Sequence, residues 1–153
     1  VLPVADRGSG EQVSALVGKA LAAWHLPEMV DEVELCAREL WGNVVRHTSR
    51  PAAGGEEWTA QVALWYLLGE RLRVEVSDRD DRMPVLGRAF PDTESLDGER
   101  VPEHVAEALL ESGRGLGIVQ RRADALSWSP LAQGGKRVWC EFSLGDTVVG
   151  PIR

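Results

Sequence analysis

The spacing of apolar residues changes near residue 58, from a helical period to strand-like segments, and that change restricts the fold more than any other feature. Before it, Val13, Leu16, Val17, Ala20, Leu21 and Trp24 recur at helical spacing. Ser9 stands where it can cap this first helix, with Gln12 as its capping-box partner. Pro27 ends that helix or opens the next. A second helix is expected over 28–48, with Val33, Cys36, Ala37, Leu40 and Val44 on one face, closed by Pro51 and Gly54–Gly55. After the change, 58–68 and 72–76 are rich in aromatic and β-branched residues around a turn at Gly69–Glu70. A second strand pair, 125–130 and 137–144, surrounds Gly134–Gly135, which reads as a plain hairpin turn. Residues 1–8 leave room for an edge strand. Between the pairs, 79–100 holds Pro84, Gly87, Pro91 and Gly98 with no apolar period, a long irregular loop of the kind that usually serves function. Helices are expected over 101–110, opened by Pro102, and over 115–125. Strands that arrive in adjacent pairs make a mostly antiparallel sheet, and the helices must cover one of its faces. The expected class is α+β, a two-layer sandwich, with residues 1–153 as a single domain.

Charge narrows the functions. The formal charge is −7 and the pI about 5.0, which argues against direct nucleic-acid binding, where phosphate neutralisation by a basic face dominates. No stretch approaches the roughly 18 uncharged apolar residues of a membrane span. No export signal opens the chain, so a cytoplasmic protein is expected. Cys36 and Cys140 form no CxxC and read as small core residues in a reducing compartment. His25, His47 and His104 lack ligand spacing, so a metal site built by the protein alone is not expected. Lys19 and Lys136 are the only lysines.

Three places can carry chemistry. Glu39, Asn43 and His47 stand at i, i+4 and i+8 of the second helix, a polar stripe drifting 40° per step beside the apolar face of Cys36, Leu40 and Val44. An Asn carbonyl suits Mg²⁺ that already carries phosphate and water, and a Glu one turn away can accept a proton. Read alone, the stripe is more readily a solvated face with Glu39–Arg46 or Glu39–Arg38 contacts. Asp78 ends a strand of alternating Val74 and Val76, where a carboxylate can accept from a purine amino group. Its neighbours, Arg79, Asp80, Asp81 and Arg82, equally make a loop rich in ion pairs. Gly113, Gly115 and Gly117 open a helix, where backbone N–H groups can approach phosphates; a hinge reads equally well. Ile118 stands where a dinucleotide GxGxxG needs glycine, and no Lys-Ser or Lys-Thr follows as in a Walker loop.

In combination and in this order, these segments resemble one family. Glu39-Leu-Trp-Gly-Asn43-Val-Val-Arg-His47 resembles the asparagine motif of the histidine-kinase-like (Bergerat, GHKL) ATPases. Val74-Glu-Val-Ser-Asp78 with Pro84 resembles their first glycine motif, Gly113-Arg-Gly-Leu-Gly-Ile-Val119 their second, and Gly134 to Phe142 their closing strand. The match spans about residues 9–144 and is most similar to the anti-sigma-factor serine kinase branch. The resemblance implies a Bergerat sandwich with ATP between the helical layer and a mobile lid at about 79–112. It implies that Asn43 holds Mg²⁺ on the phosphates, that Glu39 is the catalytic base, and that Asp78 receives the adenine amino group. Gly113, Arg114, Gly115, Leu116 and Gly117 would bind phosphate, and Arg46 and His47 would also contact the nucleotide.

Two positions depart from the pattern. Asp80 replaces the usual glycine of Asp-x-Gly, and Arg137 stands where many relatives carry a small hydroxyl residue near the adenine. The resemblance implies a protein serine/threonine kinase of a partner-switching module. Its partners would be a sigma factor and a small antagonist (anti-anti-sigma) protein, and a homodimer is compatible with it. The alternatives are an ATP-binding partner-switch module that transfers no phosphate, and a kinase domain cut from a larger regulator.

Overall fold

The computed structural model describes residues 2–3, 9–47, 59–67, 70–82, 84 and 115–145. The expected helix at 101–110 and nearly all of the expected lid lie outside the described residues, as do Gly113 and Arg114.

Helix α1 (Ser9–Ala23) buries Val13, Val17 and Leu21, one residue per turn. Its stripe is narrower than the sequence suggests, because Leu16 is 38% exposed. Ser9 heads the helix, and its Oγ accepts from Trp41 Nε1 at 2.9 Å. A buried indole N–H needs an acceptor, so this hydroxyl ties α1 to the second helix. At the other end, His25 adopts φ 59°. The Leu26 amide donates to the Leu21 carbonyl at 2.9 Å, and the His25 amide donates to that of Ala22 at 3.2 Å. This is a Schellman closure with histidine in the position that glycine favours. Pro27–Met29 form one 3-10 turn, and α2 follows as Val30–His47, starting two residues later than expected. A short helix, α3, covers 115–122.

The sheet has order β1-β2-β3-β5-β4, formed by β1 (Leu2–Pro3), β2 (Thr59–Leu67), β3 (Arg71–Asp78), β4 (Ala125–Pro130) and β5 (Lys136–Ser143). Every pairing is antiparallel. The fold is α+β with an antiparallel sheet, as expected. β3 runs to Asp78, two residues further than its valine alternation, because β5 pairs it along its whole length.

The pleat sorts the side chains of β3 and β5. Leu72, Val74 and Val76 pair with Phe142, Cys140 and Val138 and point inward. They meet Val33, Cys36, Ala37, Leu40 and Val44 of α2 in one core, which Leu116 and Val119 of α3 complete. Cys36 and Cys140 are both free and fully buried within it, and contact with Cys36 together with burial pushes the Cys140 thiol far above its ordinary range. The opposite face is polar. Arg73 donates to Glu141 at 2.9 Å and lies 5.3 Å from the ring centre of Trp139. Among the described residues no helix is long and apolar enough to cross a membrane.

Candidate functional site

The inward face of the sheet stays apolar until its last rung. There Asp78 of β3 faces Lys136 of β5, with side chains 2% and 5% exposed. Lys136 Nζ donates to Asp78 Oδ1 at 2.9 Å and to the Asp80 carbonyl at 3.0 Å. The Asp80 amide donates to the same Oδ1 at 2.8 Å. A buried carboxylate needs such partners, since an unpaired charge in the interior is costly. The turn before β5 makes the approach possible. A Cβ on Gly135 (φ +85°) would lie 2.1 Å from the Asp78 carbonyl oxygen, so only glycine lets the chain cross there. Gly134–Gly135 is thus more than a hairpin turn: it seats Lys136 against Asp78.

Asp80, where the motif has glycine, turns back on Arg82. Its two oxygens accept from Arg82 Nε at 2.9 and 3.0 Å, and Oδ2 also accepts from Nη2 at 2.6 Å. The Arg82 bonds hold the Asp80 carboxyl below the usual carboxylate range. Arg82 also donates to the His47 carbonyl at 2.5 Å, which fastens the loop after β3 to the end of α2.

Between these parts lies a cavity of about 220 Å³. Asn43, Val44 and His47 of α2 form one wall, and Asp80, Arg82, Pro84 and Lys136 form the other. Burial, followed by the positive charges of Arg82, Arg46 and Lys136, lowers the pKa of His47 and favours its neutral form. Asn43 is 4% exposed, and its Oδ1 is a buried acceptor with no partner among the described residues. Buried polar atoms are nearly always bonded, so this oxygen is an acceptor that a ligand in the cavity could satisfy. A hard amide oxygen suits Mg²⁺. No cluster of three or more His, Cys, Asp or Glu able to hold a metal occurs among the described residues. Any Mg²⁺ here would therefore keep water and phosphate oxygens as its other ligands.

Glu39 lies at the other end of the stripe, outside the cavity wall. It borders an exposed groove with Asp31, Glu34, Leu35 and Arg38. Arg38 pairs with Glu34 at 3.9 Å. Glu39 reaches over the start of α3: a Cβ on Gly115 would lie 2.7 Å from both Glu39 Oε2 and Arg46 Nη2. Glu39, Arg46 and Gly115 therefore converge. Leu116 is fully buried in the core, while a Cβ on Gly117 would meet nothing within 4 Å.

Asn43 and His47 thus share one cavity, Glu39, Arg46 and Gly115 meet beside α3, and Asp78 lies behind Lys136. Arg137, expected near the base, points to the outer face, 3.9 Å from Glu75. Its neighbour Lys136 lines the cavity instead, a residue that the motifs alone do not single out. Counting strand parity from Asp78 across the glycine turn is the signal that could have found it.

The model of the histidine kinase-like ATPase domain matches residues 4–142. The chain belongs to that family, whose members bind ATP. A solved structure, the mycobacterial sensor histidine kinase MprB, is similar at 19% identity with a TM-score of 0.42, over 72% of this chain and 71% of that one. No curated protein matches.

Proposed function

We propose that the chain is a serine/threonine protein kinase of the anti-sigma-factor type. It would use Mg·ATP to phosphorylate a small antagonist protein and, by turns, hold a sigma factor. The observation that carries this reading is the Asn43 oxygen in the cavity wall, unpartnered among the described residues, one turn from a glutamate that overhangs the glycine start of α3.

Mg²⁺, bound through Asn43, would neutralise charge on the transferring phosphoryl group. The chain's own residues would supply position and protons. Backbone N–H groups at the start of α3 would face phosphate oxygens, as helix N-termini do. The Oγ of the antagonist's serine would attack the γ-phosphorus, its proton would pass to Glu39, and the bond to ADP would break. Catalysis of this type rests on positioning and electrostatic stabilisation. Gly115 matters because a side chain there would displace the Glu39 carboxylate. The phosphorylated antagonist would carry about two added negative charges and would leave an acidic protein, consistent with release of the sigma factor's competitor.

A second reading has its own support. Asp80 brings a carboxylate to the cavity wall where the motif has glycine, which favours an ATP-binding module that switches partners without phosphotransfer. Labelled ATP, Mg²⁺ and candidate antagonist proteins separate the two. The kinase reading expects label on serine or threonine, and at least a hundredfold slower transfer by Glu39→Ala with ATP binding retained. Transfer unchanged in Glu39→Ala removes it as base, and no transfer to any antagonist favours the switch module.

A further inference from the structure

The cavity that takes the nucleotide in the reading above, on which this inference rests, has an unusual wall. Asp78, the carboxylate of the first glycine motif, is not part of that wall; Lys136 is. The ammonium is set between them by three constraints. Strand register places Lys136 opposite Asp78. The Gly135 backbone crosses so close to Asp78 that no side chain fits between them. Nζ bonds both Asp78 Oδ1 and the Asp80 carbonyl. The other carboxylate at the wall, Asp80, already accepts from Arg82 through both oxygens.

Asp78 thus lies behind Lys136 with its side chain only 2% exposed, and both oxygens of Asp80 are engaged by Arg82. The group offered to a ligand is a donor. An ammonium has three N–H donors. Two serve Asp78 and Asp80, and Asp80 Oδ2, at 4.0 Å, is too far to take the third. A carboxylate selects the amino group of adenine, which a 6-oxo purine lacks. A donor finds an acceptor on either base: ring nitrogens on adenine, and O6 and N7 on guanine or hypoxanthine. Exchanging an acceptor for a donor at this wall removes the contact that discriminates between bases and keeps one that both can make.

We propose that Lys136 sets the base selectivity of this pocket, covering Asp78 and offering a donor, so that 6-oxo purine triphosphates bind comparably to ATP. The test is calorimetric titration of the full chain with ATP, GTP and ITP, each with Mg²⁺. Wild-type affinities for the three should fall within about threefold of one another. Lys136→Ser uncovers Asp78 and should shift the ratio to at least tenfold in favour of ATP. Lys136→Arg keeps a cation against Asp78 and should stay near parity. A wild-type preference for ATP of tenfold or more overturns the proposal without any variant. A ratio that does not move on Lys136→Ser overturns it too. In both cases ATP still binds and the nucleotide reading stands. Failure of wild type and Lys136→Ser to bind any of the three overturns both.

Discussion

Gly135→Ala is expected to loosen the joint between β3 and β5 more than its size suggests, and Gly134→Ala is its internal control. Both glycines have left-handed φ, +89° at Gly134 and +85° at Gly135, so a Cβ at either costs about 1–2 kcal/mol in backbone conformation. Their surroundings differ. At Gly134 the nearest atom to a new Cβ is Asp81 Oδ1 at 3.6 Å, an ordinary contact. At Gly135 the Cβ would sit 2.1 Å from the Asp78 carbonyl oxygen and 2.7 Å from Arg79 Cα. Both are backbone atoms and cannot rotate away. Restoring van der Waals separation means moving β5 outward by more than 1 Å at its first residue. That shift pulls Lys136 from Asp78 and loses a buried, charge-assisted bond of about 1.5–3 kcal/mol. Gly134→Ala should therefore lose about 1–2 kcal/mol and Gly135→Ala about 2.5–5 kcal/mol. Urea unfolding followed by tryptophan fluorescence reads both. Equal losses would refute the claimed crossing, and with it the seating of Lys136.

Two further predictions concern the start of α3 and the end of α2. Gly115→Ala should leave stability within about 1 kcal/mol of wild type, since the atoms it meets are the ends of Glu39 and Arg46. It should slow phosphotransfer at least tenfold in single-turnover assays, and wild-type rates would separate Gly115 from Glu39. For His47, the folded pKa lies below its ordinary 6.5. The unfolded chain therefore takes up the proton first, and the stability held above pH 6.5 is lost as pH falls through the folded value. The difference in unfolding free energy between wild type and His47→Gln should shrink as pH drops below 6.5. A difference independent of pH would refute the assignment.

The apolar periods were enough to place α2, the strand pairs and the helix-covered face, because side-chain alternation is written locally in the chain. The polar stripe was legible for the same reason: Asn43 and His47 lie one turn apart and reach the same cavity. Long-range pairings were not. The Ser9–Trp41 bond spans 32 residues and has no local signal in the sequence. Lys136 and Asp78 are 58 residues apart, and their pairing depends on register across a turn. A one-residue error in that register exchanges faces, which is why Arg137 stood in for Lys136. The pairing of buried Asp80 with exposed Arg82 was legible as an ion-pair-rich loop, though not as part of the cavity wall.

The account rests on Asn43, and its most direct test is calorimetry of ATP binding by wild type and Asn43→Ala, with Mg²⁺ and with EDTA. Wild type should bind at least tenfold more tightly with Mg²⁺ than with EDTA, through the oxygen buried without a partner among the described residues. Asn43→Ala should bind weakly and equally in both conditions while keeping its fold by circular dichroism. Wild-type Mg²⁺-dependent affinity in Asn43→Ala would contradict the account.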